Sequence, residues 1–264
     1  MPPESRRTRV LFVISDLSGG GAERVVSTYL QHLDRARFEP GLCLWRPVYA
    51  YDVPEDVPRW IVDKWRPWDV PTATWSTARV LRRFRPDVVF SHLEFPNLLT
   101  GVALRLSRLR TAWIPCIHNN PRRQHRLWRP ALRRFYRTAA AVGCVSRKLA
   151  EQTTDYCSIP GGKMVTLHNP IDFKHIDKQC RQAQPDLPPG PTIVSMGRLV
   201  PQKDHATLLR AAAALRDAKP VNVFLMGTGP LRGELEQLAD ELGIRDAVTL
   251  AGFVNNPFPY LSAA

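Results

Sequence analysis

The sequence lacks any apolar run near the roughly 20 residues that a membrane-spanning helix needs. It also lacks a Cys-x-x-Cys pair or a Cys/His spacing that would hold a metal. The five cysteines, Cys43, Cys116, Cys144, Cys157 and Cys180, are odd in number and scattered, so free thiols in a reducing compartment are expected rather than a disulfide framework. The start, "MPPESRRTRVLFVIS", is basic, but its apolar run of about six residues is short for a signal-peptide core, which predicts no export signal. In "SDLSGGGAERV" no Gly-Lys-Ser/Thr follows the glycines, which excludes a P-loop. A Gly-x-Gly-x-x-Gly frame begun at Gly19 meets Arg24 at its third glycine. The second apolar run ends in Trp45-Arg46, not in the acid that grips a ribose, so the dinucleotide fingerprint fails as well. No nucleic-acid-binding module is recognisable, so no nucleic-acid partner is expected.

What is present is a globular composition: 264 residues, 44% of them hydrophobic and 23% charged, enough for one large or two ordinary domains. The net charge of +13 lies wholly within residues 1–168, because residues 169–264 balance ten Lys and Arg against ten Asp and Glu. A field of that kind attracts an anionic partner or surface and carries no information about fold.

Short apolar runs alternate with stretches of helical period. Strands are predicted at 9–15, 41–45, 87–92, 112–118, 141–146 and 164–168, nearly continuous in apolar residues as strands buried on both faces should be. Helical stretches at 22–34, 75–84 and 97–109 separate them, which is the pattern of a parallel sheet covered on both sides. Residues 46–71, rich in Pro, Trp and Asp, read mostly as loop with room for a short strand. Residues 169–191, polar and proline-rich, read as an interdomain connection. The alternation then restarts, with strands at 192–197, 221–227 and 247–253, helices at 204–218 and 231–243, and a helix beginning in "NPFPYLSAA". The expected fold class is therefore α/β, with domains at 1–168 and 192–264.

Two loops carry candidate chemistry. The glycines Gly19, Gly20 and Gly21 sit between a strand and a helix, where unpaired amides and the helix dipole can hold an anion, or where a turn simply needs positive φ. In "SMGRLVPQKDH", Arg198 follows a strand end and Lys203 precedes a helix. A forked and a point-like cation beyond a strand's carboxyl end suit a diphosphate; solvated surface cations are the plain alternative.

"GGGAERV", "LHNPID", "GRLVPQKDHATLLRA", "LMGTGPLRGELEQLADELG" and "LAGFVNNPFPYL", in that order along nearly the whole chain, resemble the GT-B glycosyltransferases of the family 4, or group 1, type. That resemblance implies two Rossmann-like domains facing a cleft: an acceptor-side domain over 1–168 and a nucleotide-sugar-binding domain over 192–264. It implies transfer of a sugar, with retention of configuration, from a UDP- or GDP-linked donor to a glycan or lipid-linked acceptor in cell-envelope polysaccharide or glycolipid synthesis. It implies no metal and no cofactor besides the donor. Arg198 and Lys203 match the pair that grips the diphosphate, and Gly20 and Gly21 the loop facing it. Gly227, Gly229, Phe253 and Val254 match loops near the nucleotide, and His118 a histidine near the transferred sugar. His92 is a weaker candidate of the same kind, and Glu23 is expected to cap the first helix. The family's pair of glutamates, eight positions apart, has no counterpart here; Glu234 and Glu241 are seven apart and on another helix. The resemblance thus implies a C-terminally truncated member with an incomplete second domain, either active or an inactive remnant that at most binds nucleotide or acceptor.

Residues 122–137, "RRQHRLWRPALRRFYR", interleave seven arginines with Leu127, Trp128, Leu132, Phe135 and Tyr136. Such a face either lies on an anionic leaflet or packs on the core with its arginines in water. Pro130 argues against one straight helix. The expected location is cytoplasmic, with peripheral contact at the inner membrane face.

Overall fold

A computed structural model of the chain describes residues 6–63, 65–123, 128–182 and 185–264, and these fall into two compact units divided between Ile171 and Asp172. In the first unit the strands are β1 (Thr8–Ile14), β2 (Phe38–Leu44), β3 (Arg59–Ile61), β4 (Val88–His92), β5 (Ala112–Ile117), β6 (Val142–Cys144) and β7 (Met164–Thr166). The helices between them are α1 (Gly21–His32), α2 (Val70–Phe84), α3 (Glu94–Ser107), α4 (Arg129–Tyr136) and α5 (Arg147–Cys157). The strands form one parallel sheet in the order β3-β2-β1-β4-β5-β6-β7. The chain winds outward from β1 in one direction and from β4 in the other. The reversal between β1 and β4 opens a crevice at their carboxyl ends, where doubly wound sheets take ligands.

Successive residues of β1 serve opposite layers. Leu11 and Val13 join the apolar cluster under α2 to α5, while Val10, Phe12 and Ile14 join the one under α1. This two-sided burial is why the strand reads as a continuous apolar run. A buried polar knot ties the helices to the sheet. Trp113 Nε1 donates to Ser91 Oγ (2.9 Å), Ser91 Oγ donates to Asn97 Oδ1 (2.6 Å), and Asn97 Nδ2 donates to the Cys116 carbonyl (3.2 Å) and to Tyr136 Oη (3.3 Å).

The second unit contains α6 (Phe173–Cys180), β8 (Thr192–Met196), α7 (His205–Leu215), β9 (Asn222–Met226), α8 (Arg232–Glu241), β10 (Val248–Gly252) and α9 (Phe258–Ala263). Its strands pair in parallel in the order β10-β9-β8. One face packs through Val223, Leu225, Val248 and Leu250 against Leu209, Ala212, Leu235 and Ala239. On the other face Phe224 stacks on Tyr260 of α9, with ring centroids 5.2 Å apart.

Several stretches differ from the sequence reading, among them α5, which it did not mark as a helix. The expected connection contains α6, capped by Asp172 through the His175 amide (2.9 Å). That helix is held to the second unit by Asn256 Nδ2 donating to the Gln179 carbonyl (2.9 Å). Helix α2 starts at Val70 rather than Trp75, with Pro71 in its first turn, where a missing N–H costs nothing. Helix α3 likewise starts at Glu94 rather than Asn97. The basic stretch, as Pro130 predicts, is not one straight helix: residues 121–123 form a separate turn, and α4 begins at Arg129 with Pro130 in its first turn. Positions 124–127 of that stretch, including Leu127, lie outside the described residues. All five thiols are free, and among the described residues no helix is long and apolar enough to cross a membrane.

Candidate functional site

At the carboxyl edge of the first sheet the glycine loop follows β1. Gly19 has φ +107°, in the region that favours glycine, and its carbonyl accepts a hydrogen bond from Tyr51 Oη (3.1 Å). Gly20 is the N-cap of α1 with extended backbone and no side-chain cap. A Cβ at Gly20 would collide with the Glu23 carboxylate, which folds back over the loop and places an acid at the positive end of the helix. Among the described residues nothing outside its own turn lies within 4 Å of where a Gly21 Cβ would be, so there is room for a ligand beside this backbone.

The loop is held from behind. Asp16, only 2% exposed, forms an ion pair with Arg46 and accepts the Ser18 amide (3.1 Å). The segment after β2 clamps Leu17, whose amide donates to the Val48 carbonyl (2.9 Å) and whose carbonyl accepts from the Ala50 amide (2.7 Å). Sequence reasoning missed this Asp16–Arg46 brace. Its signal was an acid directly after a buried strand and before the glycines.

His92 ends β4, and His118 follows β5. Parallel pairing puts His92 opposite Cys116, two residues before His118, and the rings meet at 3.0 Å between His92 Nδ1 and His118 Nε2. One ring donates and the other accepts, so the two rings cannot both be protonated. Burial, with the neighbouring His118 adding to it, holds His92 well below its ordinary pKa, and burial pushes His118 down to about 4. His92 Nε2 is buried and has no hydrogen-bond partner among the described residues. At neutral pH His118 is thus an uncharged imidazole whose orientation is set by a fully buried neighbour. It can exchange a hydrogen bond with a hydroxyl but cannot serve as a cation.

These shifts carry a stability consequence. Between the unfolded value of 6.5 and the folded value of about 4, the unfolded chain binds a proton at His118 that the folded chain refuses. The contribution is complete above pH 6.5 and is lost as pH falls toward 4. We expect the urea midpoint of the first unit to drop over that window by an amount equivalent to roughly 2 kcal/mol, discounted because His118 is partly open to solvent. His118→Gln should lessen that slope and leave the share contributed by buried His92; an unchanged slope would show that His118 does not titrate over this window.

At the carboxyl edge of the second sheet the three strand ends are stitched together. The Gly197 amide donates to the Met226 carbonyl (2.9 Å), Leu199 to Thr228 (2.9 Å) and Gly227 to Gly252 (2.7 Å). Arg198 and Lys203 are exposed, and neither side chain has a hydrogen-bond or ionic partner among the described residues. The Lys203 stem lies across Gly197, its Cδ 3.3 Å from where a Cβ would stand. Gly227 has φ +144°, and a Cβ there would run into the Gly197 carbonyl oxygen; one on Gly229 would run into that of Leu199. These glycines are demanded by backbone packing whatever they bind. Phe253, 76% exposed, stands beyond the end of β10, and Val254 beside it is half-buried. Arg198, Lys203, Gly227, Gly229, Phe253 and Val254 therefore share one edge of the second unit. Gly20, Gly21, His92 and His118 share one edge of the first.

Comparison with known proteins agrees with the fold. Residues 19–175 match the model of Glycosyltransferase Family 4, and residues 178–263 match that of Glycosyl transferases group 1. The chain is 28% identical over 270 residues to a Campylobacter jejuni N-acetylgalactosamine-N,N'-diacetylbacillosaminyl-diphospho-undecaprenol 4-alpha-N-acetylgalactosaminyltransferase, covering 96% of this chain and 71% of that protein. It is 30% identical over 193 residues to the Rhizobium meliloti lipopolysaccharide core biosynthesis glycosyltransferase LpsD, covering 72% of this chain but half (50%) of that protein. Among solved structures, Anabaena HepE in complex with UDP and glucose superposes with a TM-score of 0.75 at 14% identity, covering 98% of this chain and 73% of HepE. WaaG, a glycosyltransferase involved in lipopolysaccharide biosynthesis, superposes with a TM-score of 0.60 at 13% identity, covering 97% of this chain and 73% of WaaG.

Proposed function

The chain belongs to the family 4, group 1 glycosyltransferases of GT-B fold, and on that premise we propose that it handles a nucleotide-diphosphate sugar at the carboxyl edge of its second unit. The reaction assigned is transfer of the sugar, with retention of configuration, to a glycan or lipid-linked acceptor of the cell envelope. The observation that carries this reading is the pair Arg198 and Lys203, two cations without a protein partner among the described residues, at the strand ends where α/β sheets take ligands.

Each group has a physical task. The Arg198 fork suits two oxygens of a diphosphate, and the Lys203 ammonium neutralises a third. Their attraction strengthens as the bond to the sugar breaks and charge collects on the leaving diphosphate, which lowers the barrier as well as binding the donor. The exposed Phe253 ring offers an apolar face for the base. His118, neutral by burial, is assigned a hydrogen bond to a sugar hydroxyl. The open backbone at Gly21 is assigned to a phosphate or hydroxyl.

Support also comes from relatives: the C. jejuni protein is named for a diphospho-undecaprenol-linked acceptor, LpsD for lipopolysaccharide core synthesis, and HepE was solved with UDP and glucose. The test is calorimetric titration of the chain with UDP, GDP and their hexose esters, followed by a transfer assay with lipid-linked and soluble glycan acceptors. Micromolar to millimolar binding of one nucleotide series is expected. Absence of binding by every nucleotide would overturn the donor assignment.

A further inference from the structure

The excess positive charge of the first unit collects on the edge of the sheet opposite the histidine pair. Each helix runs back against its strands, so helix C-termini gather where strands begin. Helix α2 ends in Arg82 and Arg83 with Arg85 as its cap, α3 in Arg105 with Arg108, and α4 in Arg133 and Arg134 with Arg137. Cations at helix C-termini are favoured one at a time by the dipole. That preference does not require them to line a common cavity.

Five of them do. A cavity of about 710 Å³ between α3 and α4 is lined by Arg105, Arg129, Arg133, Arg134 and Arg137. Two of the five are held in place: the Arg105 guanidinium lies 4.5 Å from the Phe135 ring centroid, and that of Arg129 lies 5.1 Å from Tyr156, with Nε donating to the Tyr156 carbonyl (2.6 Å). Among the described residues no carboxylate pairs with any of the five. The same edge does use carboxylates elsewhere, in Arg6–Asp87, Arg9–Glu39 and Arg35–Asp56. Like charges crowded around one space repel, and an anion placed among them offsets the repulsion. Guanidinium forks match phosphate oxygens in pairs, and the volume exceeds what a single phosphate fills.

We propose that this α3–α4 cavity is a second anion site, separate from the sugar-transfer edge, that binds a ligand bearing two or more phosphates. The phosphates come either from a soluble oligophosphate or from lipid headgroups, and the chemistry of recognition is the same. The site does not depend on the donor assignment.

The test uses the full chain at two salt concentrations. One arm titrates inorganic tripolyphosphate by calorimetry; the other measures co-sedimentation with vesicles containing phosphatidylglycerol, against pure phosphatidylcholine. The variants are R133Q/R134Q, both residues being exposed, and R147Q/K148Q, which removes the same charge from the start of α5. Both pairs are made in an R198A/K203A background, so that tripolyphosphate held at the donor edge is not counted. Affinity at least tenfold weaker in R133Q/R134Q, with R147Q/K148Q close to the parent, is the expected result. If that pattern is seen with tripolyphosphate, the source is soluble; if it is seen only with the anionic vesicles, the source is lipid. Equal losses in R133Q/R134Q and R147Q/K148Q would reduce the effect to net charge and overturn the proposal, as would binding in neither arm.

Discussion

Replacing Arg198 and Lys203 together by alanine should weaken nucleotide-diphosphate binding by about 100-fold or more. A hydrogen bond to a charged group contributes about 1.5–3 kcal/mol, and two such groups are lost. The cost should fall on the ligand alone. Both side chains are exposed and make no hydrogen bond or ion pair among the described residues, so thermal unfolding of the unliganded protein should be unchanged. Arg198→Lys separates charge from geometry: it keeps the cation, loses the fork, and should recover only part of the affinity. Calorimetry with the tighter of UDP and GDP measures each variant. Affinity within twofold of the parent in the double variant would remove the diphosphate from this edge.

Gly227→Ala should destabilise the second unit by about 3–5 kcal/mol, through a backbone conformation that L residues rarely adopt and a methyl group driven into packed backbone. At φ +144° the added Cβ meets the Gly197 carbonyl oxygen, and the Gly227 amide also donates to Gly252 (2.7 Å). The end of β9 cannot move away from β8 without breaking the bond from Gly197 to the Met226 carbonyl (2.9 Å). Because Arg198 follows Gly197 directly, the loss should appear both in chemical unfolding of the second unit and in weaker nucleotide binding. Gly233→Ala is the matched control, since among the described residues nothing lies within 4 Å of a Cβ there; lying in helix α8, it should hold or slightly raise stability and leave nucleotide binding unchanged. Unaltered unfolding of Gly227→Ala would show that the two strand ends are not locked together.

The contrast between these glycines shows where sequence reading stops. Gly227 and Gly229 were legible as a loop at a strand end, and that position is correct. That each Cβ would strike a carbonyl of the neighbouring strand's loop depends on the pairing of β8 with β9, which no local pattern encodes. The histidines behave similarly. His92 and His118 are 26 residues apart, and each was legible only as a strand end. Parallel pairing of β4 with β5 makes them one hydrogen-bonded unit, and burial depresses both pKa values. The knot of Ser91, Asn97, Trp113 and Tyr136 behind them joins four elements and has no sequence signature.

By itself the sequence determined the alternation of buried strands and covering helices, the restart of that alternation after the proline-rich stretch, and the order of the family's motifs. Those properties depend on residues adjacent in the chain: apolar period, glycine and proline placement, and local charge. Only the tertiary structure decided that α6 is built into the second unit, that Asp16 and Arg46 brace the glycine loop, and that arginines from two helices line one cavity. The physical reason is that each of these is a contact between segments far apart in the chain, set by sheet order and helix packing rather than by any residue's neighbours.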